Sequence, residues 1–597
     1  MMKAASDVSV RSPLRAWTRA LERTSAIGRD PRHTLPVVIE QLAERCGDAA
    51  ALIGTDASLS YRGLAEASDR FARWGLAQGL GPGDVICLVM KNCPEYFALW
   101  LGLTRIGASV ALINTNLAGE SLRHSIDIVH PRLVVVGAAF AGVLAEVRAG
   151  IGAGVGCWAY GAGPHDLPRL DLAADSLSAA PLAAAECPLP VLADRALLIY
   201  TSGTTGLPKA ANVSHLRLMQ WTHWFAGLTD MQSGDRLFNC LPMYHSVGGV
   251  VATGAALVGG GAVVVRERFS ARTFWQDVAA GQCTVFQYIG ELCRYLLNAP
   301  HDPHEARHGL RLACGNGLRP EVWEPFQRRF HIPQILEYYA STEGNFSLYN
   351  CEERVGAIGR IPPFLAHRIP VALVKYDVEA RSPARNAQGH CLPCAADEVG
   401  EAIGRVVDAD AATRFEGYTD AQASRHKILR DVFTTGDAWY RSGDLMRRDR
   451  QGFFYFVDRV GDTFRWKGEN VSTTEVAAVI AGCRGVREVA VYGVQIPGAE
   501  GRAGMAALVV APEFELAELH RTVSGGLPAY ARPVLVRIAG RLDTTATFKL
   551  RTQELAREGY DPAALGDALY FADAAHRGYV PLDAALHRRI TSGALRL

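Results

Sequence analysis

Lysine is scarce in this chain. Seven lysines, Lys3, Lys91, Lys209, Lys375, Lys427, Lys467 and Lys549, stand among 62 basic residues, and the rest are arginine. A compact ammonium does chemistry that a planar guanidinium does not, so so few lysines invite inspection one by one. Some are simply what arginine-biased usage leaves by chance. Net charge of either sign is also lacking. The formal charge of +1 excludes a global attraction to nucleic acid or to an anionic membrane. Thirteen cysteines are spread along 597 residues without a disulfide framework, so a reducing cytosol is the expected compartment. Cys391 and Cys394 form a lone CxxC with no second pair to complete a zinc ribbon.

Long apolar runs are missing too. The first 35 residues carry six arginines and no apolar core of signal-peptide length. The longest uncharged apolar stretch, Val247 to Val265, has six glycines in nineteen residues and reads as a buried helix, a turn and a strand. Ser12-Pro13 opens a short helix with Leu14, Trp17 and Leu21 on one face, flanked by Arg15, Arg19 and Arg23. It reads as an arm packed on the body. A peripheral membrane-surface helix, at the inner membrane, is the alternative.

Apolar residues make up 49% and charged residues 21%, which excludes a disordered or collagen-like chain. Short β-rich runs alternate with helical patterns, so the fold class is α/β. Val85 to Met90, Leu133 to Val136, Ala196 to Tyr200 and Ala262 to Val265 read as buried strands. Residues 150 to 190, rich in Ala, Gly and Pro, read as an irregular surface excursion. The character changes near residue 460. Beyond it, Val489 to Val494 and Met505 to Val510 read as strands, and Thr473 to Ala481 and Pro512 to Val523 as helices. Ser472 and Glu475 form a capping box, a structural reading of that glutamate.

The most informative stretch is Tyr200 to Lys209, YTSGTTGLPK. Two glycines, four hydroxyls and a lysine directly after a buried strand suit a phosphate cradle. The Gly-Lys-Ser/Thr junction of a Walker A loop is missing. His304-Glu305-Ala-Arg-His308 matches the HExxH zinc pattern, but prolines at 300 and 303 and Gly309 leave little room for the helix that pattern needs.

YTSGTTGLPK resembles the phosphate loop of the adenylate-forming superfamily. Tyr339-Ala-Ser-Thr-Glu343 resembles its adenine and magnesium motif, Tyr440-Arg-Ser-Gly-Asp444 its ribose motif, Asp458-Arg459-Val-Gly-Asp462 its hinge, and Thr547-Phe-Lys549 its C-terminal lysine motif. INTN (Ile113 to Asn116), GNGLRPEVW (Gly315 to Trp323), VKYDVE (Val374 to Glu379), DTFRWKGENVSTTEV (Asp462 to Val476) and GYVPL (Gly578 to Leu582) resemble the fatty-acid-transport-protein and very-long-chain acyl-CoA synthetase branch.

The resemblance implies a large multi-layered N-terminal adenylation domain over 1–460, with 1–35 as its arm, and a small mobile α+β domain over 461–597. It implies that Thr201, Ser202, Gly203, Thr204, Thr205, Gly206 and Lys209 hold phosphates, and that Glu343 with Thr201 holds Mg2+. Gly315, Asn316, Gly317, Tyr338, Tyr339, Ala340, Ser341 and Thr342 would surround adenine, Asp444 would accept from the ribose hydroxyls, and Arg459 would approach the ribose or a phosphate. Lys549 would be the catalytic lysine, with Glu343 and Thr201 beside it, and Gly461 the hinge. His245, Gln287, Tyr288, Ile289 and Gly290 would meet the acyl group, although a core role suits His245 as well. Ala340 and Ala546 stand where relatives carry glycine, which puts local loop geometry in question.

The implied activity is ATP-dependent formation of an acyl-AMP and then a CoA thioester from a long- or very-long-chain fatty acid. A bile-acid or steroid carboxylate remains an alternative substrate. The 48 residues after Lys549 are too few for a fused carrier domain, so a separate carrier protein is a rival acceptor. A fatty-acid uptake protein without ligase activity is the non-enzyme rival. ATP, Mg2+, CoA and a hydrophobic carboxylate are the expected ligands, with no nucleic acid. A homodimer is left open.

Overall fold

Val85–Val89 is buried on both faces, as a strand in a parallel sheet covered by helices must be. The structure, a computed structural model, describes residues 12–595 apart from 153, 202–206, 379, 408–413, 468, 498, 500, 545–549, 574, 575 and 577. It divides into two units, Met1–Gly359 with Asp408–Lys427, and Arg360–Val407 with Ile428–Leu597.

In the first unit one sheet runs, in spatial order, Gly156–Tyr160, Leu133–Gly137, Val85–Val89, Ser109–Leu112, Arg195–Thr201 and Lys209–Ser214. Its neighbours are parallel except the last pair, a hairpin around the phosphate-loop sequence. A second run is ordered Ser347–Asn350, Ile335–Ala340, Leu312–Asn316, Val285–Ile289, Arg236–Asn239, Ala262–Val265, Ala50–Ile53 and Ser58–Ser60. Its interior pairs are parallel and its two outer pairs antiparallel. The glycine-rich apolar stretch forms a wide helical turn Ser246–Ala252, a helix Thr253–Val258 and then a strand, as its composition suggested.

The N-terminal helix, Pro13–Thr24, packs on the helix His215–Leu228. A Cβ at Gly227 would lie 2.5 Å from the Ala20 backbone, so two small residues let the helices touch. Trp17 is buried edge-on against Trp224 and Tyr349, with ring centroids 6.0 and 5.9 Å away. Leu14, expected on the apolar stripe, is instead 55% exposed, because the buried face is centred on Trp17 and Ala20. Residues 150–190 also depart from expectation. They contain the edge strand Gly156–Tyr160 and a helix, Leu170–Asp175, with Leu170 and Ala174 buried. Cys157 and Ala159 alternate inward, a short period that Gly and Trp obscure in the sequence.

The second unit holds an antiparallel sheet, Val371–Val374, Val399–Arg405, Ala438–Arg448 and Phe453–Arg459, with Ile428–Arg430 on Ala438–Arg448. It also holds a five-stranded sheet, Val486–Val494, Ala503–Val510, Leu535–Ile538, Ala568–Asp573 and Gly578–Pro581. The helices Thr473–Ala481 and Leu516–Gly526 share a core with that sheet. Ser472 caps its helix by accepting from Glu475 N–H at 3.2 Å. Buried Asp458 accepts from Thr473 N–H at 2.7 Å, and burial raises its carboxyl to about 6. The bond ties the helix start to the Phe453–Arg459 strand.

Candidate active site

The buried strand Arg195–Thr201 carries the phosphate-loop sequence at its end, and the antiparallel return puts Lys209 opposite Thr201. Ser202, Gly203, Thr204, Thr205 and Gly206 lie outside the described residues, as do Ala546 and Lys549. The return strand gains a neighbour from far along the chain. Asn212 N–H donates to Gly417 C=O at 2.9 Å, Thr419 N–H donates to Ala210 C=O at 3.0 Å, and Tyr418 bridges Ala211. Glu416 accepts from the Ser214 amide and hydroxyl at 2.8 and 2.6 Å. Residues 414–427 thus form a strap across the hairpin.

Glu343 is buried, at 7% exposed. Its Oε1 accepts from the Tyr418 hydroxyl at 2.9 Å and meets the Lys427 ammonium at 3.3 Å. The ring of Tyr418 also lies 5.9 Å from the Lys209 ammonium, and Lys209 is the cross-strand partner of Thr201. Burial first, and the adjacent carboxylate second, push this phenol up, so it stays a donor. Thr342 shares a hydroxyl contact with Ser246 at 3.1 Å, and its carbonyl accepts from buried Arg217 at 3.1 Å. Tyr418, Lys427, Glu416 and Arg217 were not singled out as site residues from sequence. Only the scarcity of lysine pointed to Lys427.

The expected adenine wall is built from close backbone. A Cβ at Gly290 would fall 1.9 Å from the Gly317 carbonyl, and one at Gly315 would fall 2.2 Å from the Tyr288 carbonyl. Gly317 has φ +79°. Asn316 Oδ1 is buried without a partner, an acceptor that fits a ligand N–H group. Ala340 ends the strand Ile335–Ala340 and is not among the described residues with positive φ, so the missing glycine costs no backbone strain here. Tyr339 and Ser341 are half-buried, whereas Tyr338 packs in the core, edge-on to Phe225 at 5.3 Å.

Gln287 and Tyr288 are fully buried in a polar network rather than on an open wall. Gln287 donates to the Tyr338 hydroxyl at 3.2 Å, and the Tyr288 hydroxyl donates to Glu337 Oε2 at 2.6 Å. Leu318 N–H donates to Glu337 Oε1 at 3.1 Å. Burial raises the Glu337 carboxyl to about 8. Ile289 ends its strand half-buried, next to Gly290. His245 is half-buried against Tyr244, with ring centroids 4.8 Å apart, and burial lowers its imidazole to about 4. The Tyr244 hydroxyl accepts from Asn116 at 3.2 Å, which joins the INTN motif to the histidine segment.

In the second unit, cross-strand partners Asp444 and Arg459 approach to 3.6 Å. Gly461 lies in a turn, and a Cβ there would meet nothing within 4 Å. The zinc-like pattern is accounted for otherwise. Glu305 is held by Arg329 at 2.9 Å, and His308 Nε2 lies 2.7 Å from the Phe330 carbonyl while stacking on Trp275. No group of three or more potential metal ligands occurs among the described residues, and no described helix is long and apolar enough to cross a membrane.

Comparison with known proteins bears on the family and the fold. Residues 39–378 match the AMP-binding enzyme family and residues 475–549 the AMP-binding enzyme C-terminal domain. The chain is 41% identical over 575 residues to human long-chain fatty acid transport protein 1, covering 95% of this chain and 88% of the relative. It is 37% identical over 563 residues to the medium/long-chain-fatty-acid–CoA ligase FadD6 of Mycobacterium tuberculosis, covering 94% and 91%. An anthranilate CoA ligase complexed with anthranoyl-AMP shares the fold at TM-score 0.77 and 19% identity, covering 90% of this chain and 99% of that one. ATP-bound MatB from Rhodopseudomonas palustris shares it at TM-score 0.73 and 22% identity, covering 89% and 100%. The chain therefore belongs to the AMP-binding enzyme family and has the adenylate-forming ligase fold.

Proposed function

We propose that the protein is an ATP-dependent acyl-CoA synthetase for long-chain fatty acids. The observation that carries this reading is the assembly around Tyr418, whose phenol bonds Glu343 and whose ring lies near Lys209, itself paired across the hairpin with Thr201. A hydroxyl, an ammonium and a buried carboxylate are what a polyphosphate and its counter-ion require. Thr201 and Lys209 bind phosphate oxygens, and the glycine wall with Asn316 takes the base. Asp444 and Arg459 face the ribose.

The substrate carboxylate attacks the α-phosphorus and pyrophosphate leaves. The thiol of CoA then displaces AMP from the acyl carbon. A bare carboxylate is a poor electrophile, and the adenylate gives it a good leaving group. Lys549 offsets the charge that shifts toward pyrophosphate. Glu343 and Thr201 offer hard oxygens suited to Mg2+, which when bound neutralises the departing pyrophosphate. Residues 461–597 act as the mobile domain, with Gly461 as the hinge. The thirteen cysteines are all free thiols, which suits a reducing compartment.

Long-chain preference rests on the names of the relatives and on the branch-specific stretches. Incubating the protein with ATP, CoA and a panel of fatty and steroid acids, read by mass spectrometry, tests it. A long-chain acyl-CoA is the expected product. AMP released without any thioester overturns the CoA reading, and a thioester from steroid acids alone overturns the chain class.

A further inference from the structure

We infer that Tyr418 and Lys427 are positioning residues for adenylation, which offset the charge of Glu343 and fix its aim before nucleotide arrives. This rests on the reading of Glu343 as the metal-holding carboxylate. Both side chains come from the strap 414–427, which belongs to the first unit although the strands on either side of it belong to the second. The strap is stitched to the strand that leaves the phosphate loop, by backbone bonds at Gly417 and Thr419 and by Glu416 on Ser214. Its helix Ala421–His426 is capped by Asp420, and Lys427 is the next residue.

Both contacts fall on Oε1 of Glu343, at 2.9 Å from the phenol and 3.3 Å from the ammonium, which leaves Oε2 for a cation. A buried carboxylate without such partners would carry an uncompensated charge in a poorly solvated site. Lys427, itself 24% exposed, supplies the compensation while no metal is present. Tyr418 adds direction, since its backbone bridges Ala211 on the return strand and its ring lies beneath Lys209. Movement of the strap would therefore shift the phosphate-binding and metal-binding groups together.

The test compares equilibrium binding of ATP in EDTA with binding of a non-hydrolysable Mg·ATP analogue, for wild type, Lys427→Met and Lys427→Arg. Without metal, Lys427→Met leaves the Glu343 charge facing a tetra-anionic nucleotide, whereas with Mg2+ the ion takes over the compensation. The ratio of metal-free to magnesium Kd should rise about tenfold in Lys427→Met and return to near wild type in Lys427→Arg. In a Glu343→Gln background, Lys427→Met should leave the ratio unchanged. Tyr418→Phe should slow adenylation at saturating Mg·ATP about tenfold and leave the metal-free Kd within about twofold.

Equal loss of both affinities would mark Lys427 as merely structural and overturn the assignment. So would an undiminished rise in the Glu343→Gln background, since the lysine would then act on the nucleotide directly. Wild-type ATP–pyrophosphate exchange, run alongside, reports on the adenylating reading by itself. Intact exchange with unaffected variants sinks only the inference.

Discussion

Glu337 shows how one side chain couples burial to proton binding. It is fully buried and accepts from Tyr288 and Leu318, yet loss of solvent raises its carboxyl to about 8. Its unfolded value lies near 4.5. Between those values the folded chain holds a proton that the unfolded chain has lost, so stability falls as pH rises from about 4.5 to 8. Glu337→Gln keeps the shape and removes the proton. The melting temperature of the variant should gain on wild type from pH 5 to pH 8, by up to about 1.4 kcal/mol per pH unit in free energy. Parallel melting curves at all pH values would show that Glu337 ionises normally. Glu343→Gln makes a different statement. It should weaken ATP–pyrophosphate exchange about a hundredfold, the scale of losing one preorganised charged group, with the melting temperature preserved. At this scale Glu343 was legible through its motif, whereas Glu337 was not, because a glutamate in an apolar strand declares nothing about its partners.

At the scale of elements, two close approaches depend on missing side chains. Gly290 begins the helix Gly290–Asn298 and sits against the Gly317 carbonyl. Gly290→Ala should push that loop outward and raise the KM for ATP tenfold or more, while a distant helix-surface substitution such as Arg328→Ala leaves it alone. An unchanged KM would remove Gly315–Gly317 from the nucleotide site. Gly227 performs the same service for the N-terminal helix. Gly227→Val should expel Ala20 and expose Trp17, which limited trypsin digestion would read as faster cleavage at Arg15, Arg19 or Arg23. The strands Val85–Val89, Leu133–Gly137, Arg195–Thr201 and Ala262–Val265 follow from their apolar runs. Gly156–Tyr160 escaped because a short edge strand holding Gly, Ala and Trp has neither length nor β-branching to mark it.

At the scale of the whole molecule, the proposed mechanism needs residues 461–597 to serve two half-reactions in turn. Lys549→Ala should reduce acyl-AMP formation a hundredfold or more and still convert supplied acyl-AMP and CoA to thioester at a near-normal rate. Gly461→Pro should show the reverse if it locks the adenylating orientation. Stopped assays of each half-reaction separate the two outcomes, and equal impairment of both by Lys549→Ala in a folded protein would make that lysine structural. A Cβ at 461 would meet open space, so glycine there is not demanded by the conformation described. Its use would lie in another one. Thr473 N–H on Asp458 and the Ser472 hydroxyl on the Val457 carbonyl join the helix start to the strand before residue 461, so under the proposed mechanism a change of orientation at Gly461 would act on these bonds.

Local chemistry along the chain decided a great deal. The hydroxyl and glycine density of Tyr200 to Lys209, the order of the later motifs and the apolar runs were enough for the family, the α/β class and most of the candidate residues. Those signals are written in neighbouring residues, where spacing and side-chain type suffice. Tertiary structure alone decided what Glu343 touches. Tyr418 lies 75 residues further on, and Lys427 comes at the end of a strap that crosses the phosphate hairpin. No periodicity joins residues so far apart. Their meeting depends on strand order and on the path of the strap, and the compensation of a buried charge depends on that meeting.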